Sequence, residues 1–423
     1  MTSSRLLPAR ERADESLERR QLRELTRQFV QRDVLPYLDA WERSGEVPRT
    51  LHATAAELGL LGVGFPEQVG GSGGDLLDSL LVAEELIRAG GSSGLVAALL
   101  THGIALPHIV AAWRDAGRPE PTSDAGRPEP TSDAGRPEPT SDVGELVDRY
   151  VRPTLAGSRI GALGITEPDG GSDVAGLRTT ARRDGDHYIV NGTKTYLTSG
   201  VRADFVTTAV RTGPPGPGGI SLLVIDKDSP GCTVDRRLDK LGWHCSDTAE
   251  LSFVDVRVPV RNLVGAENAG FVAIMRQFAT ERLSLATQAY ATAWRCLDLT
   301  VAWCRDRHTF GRPLADRQVV RHRLAEMATR AAAAQAFVTQ VATRTAAHDP
   351  LAGAALAAEA AMAKNAAVAA CDWVVDQAVQ LHGGYGYLRD AEVERHYRDA
   401  RILGIGGGTT EIMNEIIAKG MGI

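Results

Sequence analysis

The string Gly164-Ile165-Thr166-Glu167-Pro168-Asp169-Gly170-Gly171-Ser172-Asp173 sets hydroxyl side chains among glycines and a run of backbone N–H groups. Glycine has no Cβ, so such a loop can approach a phosphate or the polar edge of a ring closely, and its amides can donate to either. On spacing alone an ordinary turn explains the string as well. Ser72 and Ser92 each satisfy Gly-x-Ser-x-Gly, but a nucleophile elbow needs a strand entering and a helix leaving the serine. Both serines lie in glycine clusters of a helical region, where glycine alone produces the match. GxGxxG, GxxxxGK[ST] and HExxH strings do not occur, so a Rossmann dinucleotide site, a P-loop and a zincin lose their sequence support. The five cysteines are irregularly spaced without a CxxC pair. That argues against a disulfide framework or structural zinc and points to a reducing cytoplasm.

Three stretches must carry these residues. From residue 16 to about 113, Leu17, Leu22, Leu25 and Phe29 recur at helical spacing, with glycine breaks at 70–74 and 90–94. A nine-residue unit, Asp-Ala-Gly-Arg-Pro-Glu-Pro-Thr-Ser, then repeats in tandem over 115–141. Two prolines per unit and no apolar core residue make it an extended, solvated loop without chemistry of its own. From 160 to 263 the texture is that of strands: Asp184-Gly185 and Asn191-Gly192 bracket the run 187–190, and 205–210 and 220–225 flank a Gly/Pro stretch. A small antiparallel barrel or sandwich is expected there. Beyond Gly270 the runs 271–307, 314–348 and 351–381 are Ala-, Arg- and Leu-rich and read as long helices of a bundle. The fold class is therefore α+β, mainly α, divided into 1–159, 160–263 and 264–423.

The 423 residues carry 47 Lys+Arg against 53 Asp+Glu, a net charge of −6, which speaks against nucleic acid as a partner. Residues 1–20 are polar and lack the apolar segment of a secretory signal. No charge occurs between Arg88 and Arg114, but the Gly-Gly-Ser-Ser-Gly start and Pro107 break any continuous lipid-facing helix, and buried helices are expected instead of a membrane span.

Three further strings join the loop 164–173: Asn191-Gly192-Thr193-Lys194-Thr195-Tyr196-Leu197-Thr198, Arg307-His308-Thr309-Phe310-Gly311, and Gln380-Leu381-His382-Gly383-Gly384-Tyr385-Gly386-Tyr387 followed by Arg395 and Arg398-Asp399-Ala400-Arg401. In content and order the four resemble the acyl-CoA dehydrogenase family, from about Leu17 to the end apart from the repeat. The resemblance implies a helical N-terminal domain, a central β-domain and a C-terminal four-helix bundle, with FAD between the subunits of a homotetramer or dimer of dimers. It implies an acyl-CoA substrate and an electron-transfer flavoprotein as acceptor. Thr166 and Thr198 would hydrogen-bond the isoalloxazine, with Leu163 beside it, and Ser172 would lie near the pyrophosphate or the thioester. Tyr196 would cover one ring face where the family usually has tryptophan, keeping an aromatic face of smaller area. Arg307, Thr309, Phe310, Gln318, Gln380, Gly383 and Gly384 would bind the adenine-side half, Arg307 through its planar fork. Without the resemblance, Arg307 reads as a solvated helix-end side chain. Thr409 and Glu411 fall where the family contacts the same cofactor.

The reaction implied is α,β-dehydrogenation, in which a base takes the α-proton and the β-carbon passes hydride to flavin N5. Many members carry that base as a glutamate just before Gly-Thr, but here the string is Ile405-Gly406-Gly407-Gly408-Thr409. The isovaleryl and long-chain branches carry it on an earlier helix, where this chain has Phe278-Ala279-Thr280-Glu281-Arg282-Leu283. Glu281 is then the expected base, and the Gly407 N–H with an FAD ribityl hydroxyl would polarise the thioester carbonyl. Consecutive helical residues point about 100° apart, so Arg282 can turn toward the CoA end while Glu281 faces the flavin, with Phe278 on the substrate side. Two alternatives remain: a dehydrogenase of carrier-protein-tethered acyl groups, and a flavin oxidase or monooxygenase on the same scaffold.

Overall fold

The computed structural model describes residues 16–117, 141–347 and 353–423. Residues 118–140 of the tandem repeat and the first fifteen residues lie outside the described residues. The chain starts as α1 (Leu17–Phe29), α2 (Leu38–Ser44), α3 (Arg49–Glu57), α4 (Leu76–Arg88), α5 (Ser93–Leu99), α6 (His102–Ala105) and α7 (Pro107–Ala116), followed by α8 (Ser141–Leu146) and α9 (Arg152–Leu155). Their starts follow from local chemistry. Asp75 and Asp78 form a reciprocal capping box at α4, and proline occupies the first turn of α7, where its missing N–H costs nothing. Ser92 caps α5 through Leu95 N at 3.2 Å, which accounts for one Gly-x-Ser-x-Gly string as helix punctuation. The uncharged stretch is folded into these helices with a 63° bend, and no single helix among the described residues is long and apolar enough to cross a membrane.

A sheet follows: β1 (Gly161–Gly164), β2 (Thr180–Asp184), β3 (His187–Thr198), β4 (Phe205–Arg211), β5 (Ile220–Asp226), β6 (Cys232–Arg237) and β7 (Thr248–Pro259). The strand order is β1-β4-β2-β3-β7-β6, with β5 also on β4. Most pairings are antiparallel, but β1 and β2 both run parallel to β4. The Asn191-Gly192 dipeptide, expected as a turn, lies inside β3 as a bulge. The cause is local: the Asn191 amide exchanges hydrogen bonds with Asp255 across β7, and a Cβ on Gly192 would stand 2.5 Å from the Thr179 hydroxyl.

The second half is α10 (Gly270–Asp306), the short hairpin β8 (His308–Thr309) and β9 (Arg312–Pro313), α11 (Gln318–Ala347), α12 (Gly353–His382), α13 (Glu392–Ala400) and α14 (Thr410–Gly420). One apolar core runs from Phe29 and Val30 through Leu86 and Leu95 to Leu283, Ala289, Leu297, Val374 and Leu403, joining the first helices to the bundle. A second core packs Ile109, Val110 and Tyr150 on Phe205, Leu222 and Val224 of the sheet, and reaches Ile274 at the start of α10. The first half of α10 is thereby wedged between the β-domain and the bundle, and it carries Glu281.

Candidate active site

Glu281 lies on α10 opposite the loop Gly406-Gly407-Gly408, which joins a 3-10 turn at Arg401–Gly404 to α14. Gly407 and Gly408 both take left-handed conformations, φ +64° and +96°, a region that glycine enters without a Cβ clash. A Cβ on Gly407 would come 3.5 Å from Glu281 Oε1 and 2.6 Å from Leu285 Cδ1. The missing side chain at 407 and the carboxylate from α10 therefore occupy one place in space. Glu281 Oε2 is shut off from solvent and has no hydrogen-bond partner among the described residues. Burial raises its pKa above the ordinary carboxylate value, and the nearby charges of Arg282 and Lys364 act in the opposite direction. A carboxylate with a free, desolvated oxygen is suited to take a proton from a carbon acid.

Arg282 is buried: its Nε donates to the Gly407 carbonyl at 3.3 Å and its guanidinium lies over the Phe278 ring, 5.4 Å from the centroid. It is directed under the glycine loop. Lys364 on α12 is also buried and donates to the carbonyls of Gly406 and Gly408, each at 2.5 Å.

The second group belongs to the β-domain. Thr195 N donates to Thr166 O at 2.9 Å, tying the loop after β1 to β3. Beneath that link the wholly buried Lys194 ammonium donates to Ile165 O (2.9 Å) and to Glu167 Oε1 (2.8 Å). Glu167 also accepts the amides of Arg178 (2.6 Å) and Thr179 (2.8 Å), so the carboxylate knots the loop to the segment leading into β2. Burial pulls the Lys194 pKa down to about 8, with Glu167 resisting the shift. A second bulge in β3, between Lys194 and Leu197, turns Tyr196 outward at φ +59°, 69% exposed. Leu163, Thr166 and Thr198 are half-buried, and Ser172 is exposed on the loop.

Three contiguous stretches of the chain match family descriptions: 16–116 the "Acyl-CoA dehydrogenase, N-terminal domain", 162–256 the "middle domain" and 268–422 the "C-terminal domain". The chain belongs to the acyl-CoA dehydrogenase family. It is 35% identical over 402 residues to the mitochondrial long-chain specific acyl-CoA dehydrogenase of Rattus norvegicus, covering 94% of this chain and 85% of that one. A probable acyl CoA dehydrogenase from Mycobacterium abscessus superposes with a TM-score of 0.86 at 60% identity, covering 96% and 99% of the two chains. An acyl-CoA dehydrogenase from Geobacillus kaustophilus does so with a TM-score of 0.85 at 35% identity, covering 98% and 100%. The protein is a flavin-dependent oxidoreductase of this acyl-CoA dehydrogenase fold.

The remaining residues named from sequence form a separate group at the far end of α10. The Arg307 guanidinium lies over Trp303, 5.9 Å from the ring centroid, and Trp303 stacks on Tyr385 at 5.1 Å, which joins Arg307 to the turn after Gln380. A Cβ on Gly383 or Gly384 would meet nothing within 4 Å. Phe310 is 96% exposed at φ +52°, with Arg317 packed on its ring, and Thr309 is engaged by Arg317 through both its carbonyl and its hydroxyl. Gln318 is exposed beside them. Twenty-six residues separate Glu281 from Arg307, which puts them about 39 Å apart along the helix axis. Within one chain, Arg307 is thus remote from Glu281. Thr409 caps α14 through Ile412 N at 3.3 Å, and Glu411 is exposed in that helix's first turn.

Sequence reasoning missed Lys194 and Glu167 as a pair, and Lys364 altogether. A usable signal existed: the chain has five lysines among 47 basic residues, and two of them stand in otherwise apolar or neutral surroundings, Lys364 as the lone charge between Glu359 and Asp372. A compact ammonium can gather carbonyl oxygens around a single nitrogen in a small buried space.

Proposed function

We propose that the protein dehydrogenates an acyl-CoA thioester to the trans-2-enoyl-CoA, with Glu281 as the α-proton base. The Glu281 carboxylate, its Oε1 toward the side-chain-free Gly407 and its Oε2 desolvated and unpartnered among the described residues, carries this reading. An α-proton beside a thioester is a weak acid, so its removal needs a base of raised basicity and a donor for the enolate oxygen. Burial supplies the first at Glu281. The Gly407 N–H, which has no acceptor among the described residues, supplies the second. Arg282 and Phe278 support this loop and the helix face beneath it, and Ser172 on the exposed loop is positioned for the polar part of a substrate or cofactor.

The residues present fit FAD. Thr166, Leu163 and Thr198 offer half-buried polar and apolar edges beside an aromatic held outward by a bulge, and the glycine turn at 383–384 leaves room for a flat ligand to lie against backbone. When bound, FAD supplies the acceptor for the hydride leaving the β-carbon. Arg307, Phe310, Gln318, Gln380, Gly383 and Gly384 serve the site of a neighbouring subunit, since the length of α10 keeps Arg307 from its own Glu281. A homotetramer and an electron-transfer flavoprotein as electron acceptor complete the proposal, in keeping with the family.

Anaerobic titration of the purified holoprotein with saturated acyl-CoAs of increasing chain length, read by flavin absorbance, tests it. Bleaching in the parent and its loss by at least a thousandfold in rate in Glu281→Gln is expected. The ionised carboxylate is the acting form, so the rate should rise with pH through a midpoint above the ordinary carboxylate range. Bleaching that survives in Glu281→Gln removes Glu281 from the role, and no bleaching by any CoA ester overturns the reaction.

A further inference from the structure

We propose that Lys364 is a positioning residue for this site, its ammonium on α12 clamping the Gly406 and Gly408 carbonyls so that the Gly407 N–H, in the same peptide as the Gly406 carbonyl, stays free beside Glu281. The inference rests on the dehydrogenase reading above and goes beyond it in naming what holds the glycine loop in shape.

Three consecutive carbonyls of the loop are tied from the protein side: Gly406 and Gly408 by Lys364 Nζ at 2.5 Å each, Gly407 by Arg282 Nε at 3.3 Å. The Gly407 N–H, on the opposite edge of the Gly406 carbonyl's peptide, is left without an acceptor among the described residues. Upstream, Ile402 O accepts from both Ile405 N and Gly406 N, and downstream the Thr409 hydroxyl caps α14. Two successive left-handed glycines are conformationally free on their own, so their geometry has to be imposed. Lys364 is the group that reaches both flanking peptides at once. At 1% exposure it has left water for these two carbonyls, which is costly for an ammonium and needs such compensation.

Its charge has a second effect. The charged groups acting on the Glu281 carboxyl among the described residues are Arg282 on the same helix and Lys364 on α12, and the glycine loop facing it carries no side chain. Both cations favour the ionised carboxylate against burial. Lys364 itself is pulled by burial to about 8, so it remains mostly protonated at neutral pH. Removing its charge must therefore move the Glu281 midpoint up.

The test uses full-length holoprotein with Lys364→Met, Lys364→Gln and Lys364→Arg, measuring FAD content, thermal unfolding, and the limiting rate and half-saturating acyl-CoA concentration of anaerobic flavin reduction across pH. Lys364→Met is expected to lower the limiting rate at least tenfold and raise its pH midpoint, with half-saturation changed less than threefold. Lys364→Gln should raise the midpoint alike while losing less rate, because its amide can still serve one carbonyl. Lys364→Arg should keep the midpoint but lose rate, since its longer, planar head group does not fit the buried place where one compact ammonium lies 2.5 Å from both carbonyls. Lowered thermal stability with parental rate and midpoint in the neutral variants would show a merely structural lysine and overturn the proposal. If the neutral variants fail to retain FAD, a parental limiting rate in Lys364→Arg overturns it equally. A parent that no acyl-CoA reduces takes down the dehydrogenase reading itself, an outcome distinct from a reducible parent whose variants match it.

Discussion

Gly407 is where a single added carbon would meet the proposed base. A methyl group there would press on Leu285 Cδ1 at 2.6 Å, come near the Glu281 carboxylate and force a Cβ into the left-handed region. Gly407→Ala should lower stability by about 1–2 kcal/mol through backbone strain and displacement of Leu285. It should also slow flavin reduction by acyl-CoA more than tenfold while leaving FAD content at the parental level, as thermal unfolding and stopped-flow absorbance would show. The glycine at 407 and the glutamate at 281 are both named through the family resemblance, which says where its branches carry the base. Lys364 could not be named that way: a lysine within an alanine-rich helix has no spacing signature, and its two carbonyl partners lie 42 and 44 residues further on.

At the level of elements, the β3 bulge and the Lys194–Glu167 pair decide how the β-domain faces the site. Lys194 ties the loop 164–173 from below while the bulge turns Tyr196 out above. Lys194→Met would leave Glu167 buried with only two backbone amides for its charge. Breaking a buried pair in this way costs roughly 3–5 kcal/mol. The loop carrying Thr166 and Ser172 should loosen with it, so the thermal shift produced by added FAD is expected to shrink relative to the parent, measured on protein stripped of flavin and titrated back. Hydrophobic runs and turn dipeptides made the strands visible along the chain. They misplaced the turn at Asn191-Gly192, because its bulge is fixed by Asp255 on a strand far away in sequence.

For the whole molecule, the length of α10 separates two sets of candidate residues, one around Glu281 and one around Arg307, by about 39 Å along one helix. If the second set completes a neighbour's site, inactive chains should complement each other. In a hybrid of Glu281→Gln and Arg307→Ala chains, one site combines both defects and the other has neither. Hybrids isolated through two different tags should recover up to half the parental flavin reduction by acyl-CoA, whereas either variant alone stays low. No recovery in isolated hybrids would place Arg307 in the service of its own chain. Phe310, almost wholly exposed, and Tyr387, 83% exposed, belong to the same end as Arg307.

The sequence by itself determined the three-part order of helices, strands and helices, since apolar periodicity and good helix formers act locally. It also determined the inventory of hydroxyls, glycines and glutamates, because residue types are read directly, while the expectation that Glu281 is the base comes from the family resemblance. Only the tertiary structure decided that Glu281 and Gly407 share one place, that Arg282 turns under the loop, and that Lys194 and Lys364 are buried clamps. Those facts depend on elements from 27 to 125 residues apart being packed against each other, and burial, which sets both the basicity of Glu281 and the cost of an unpaired lysine, exists only once that packing is complete.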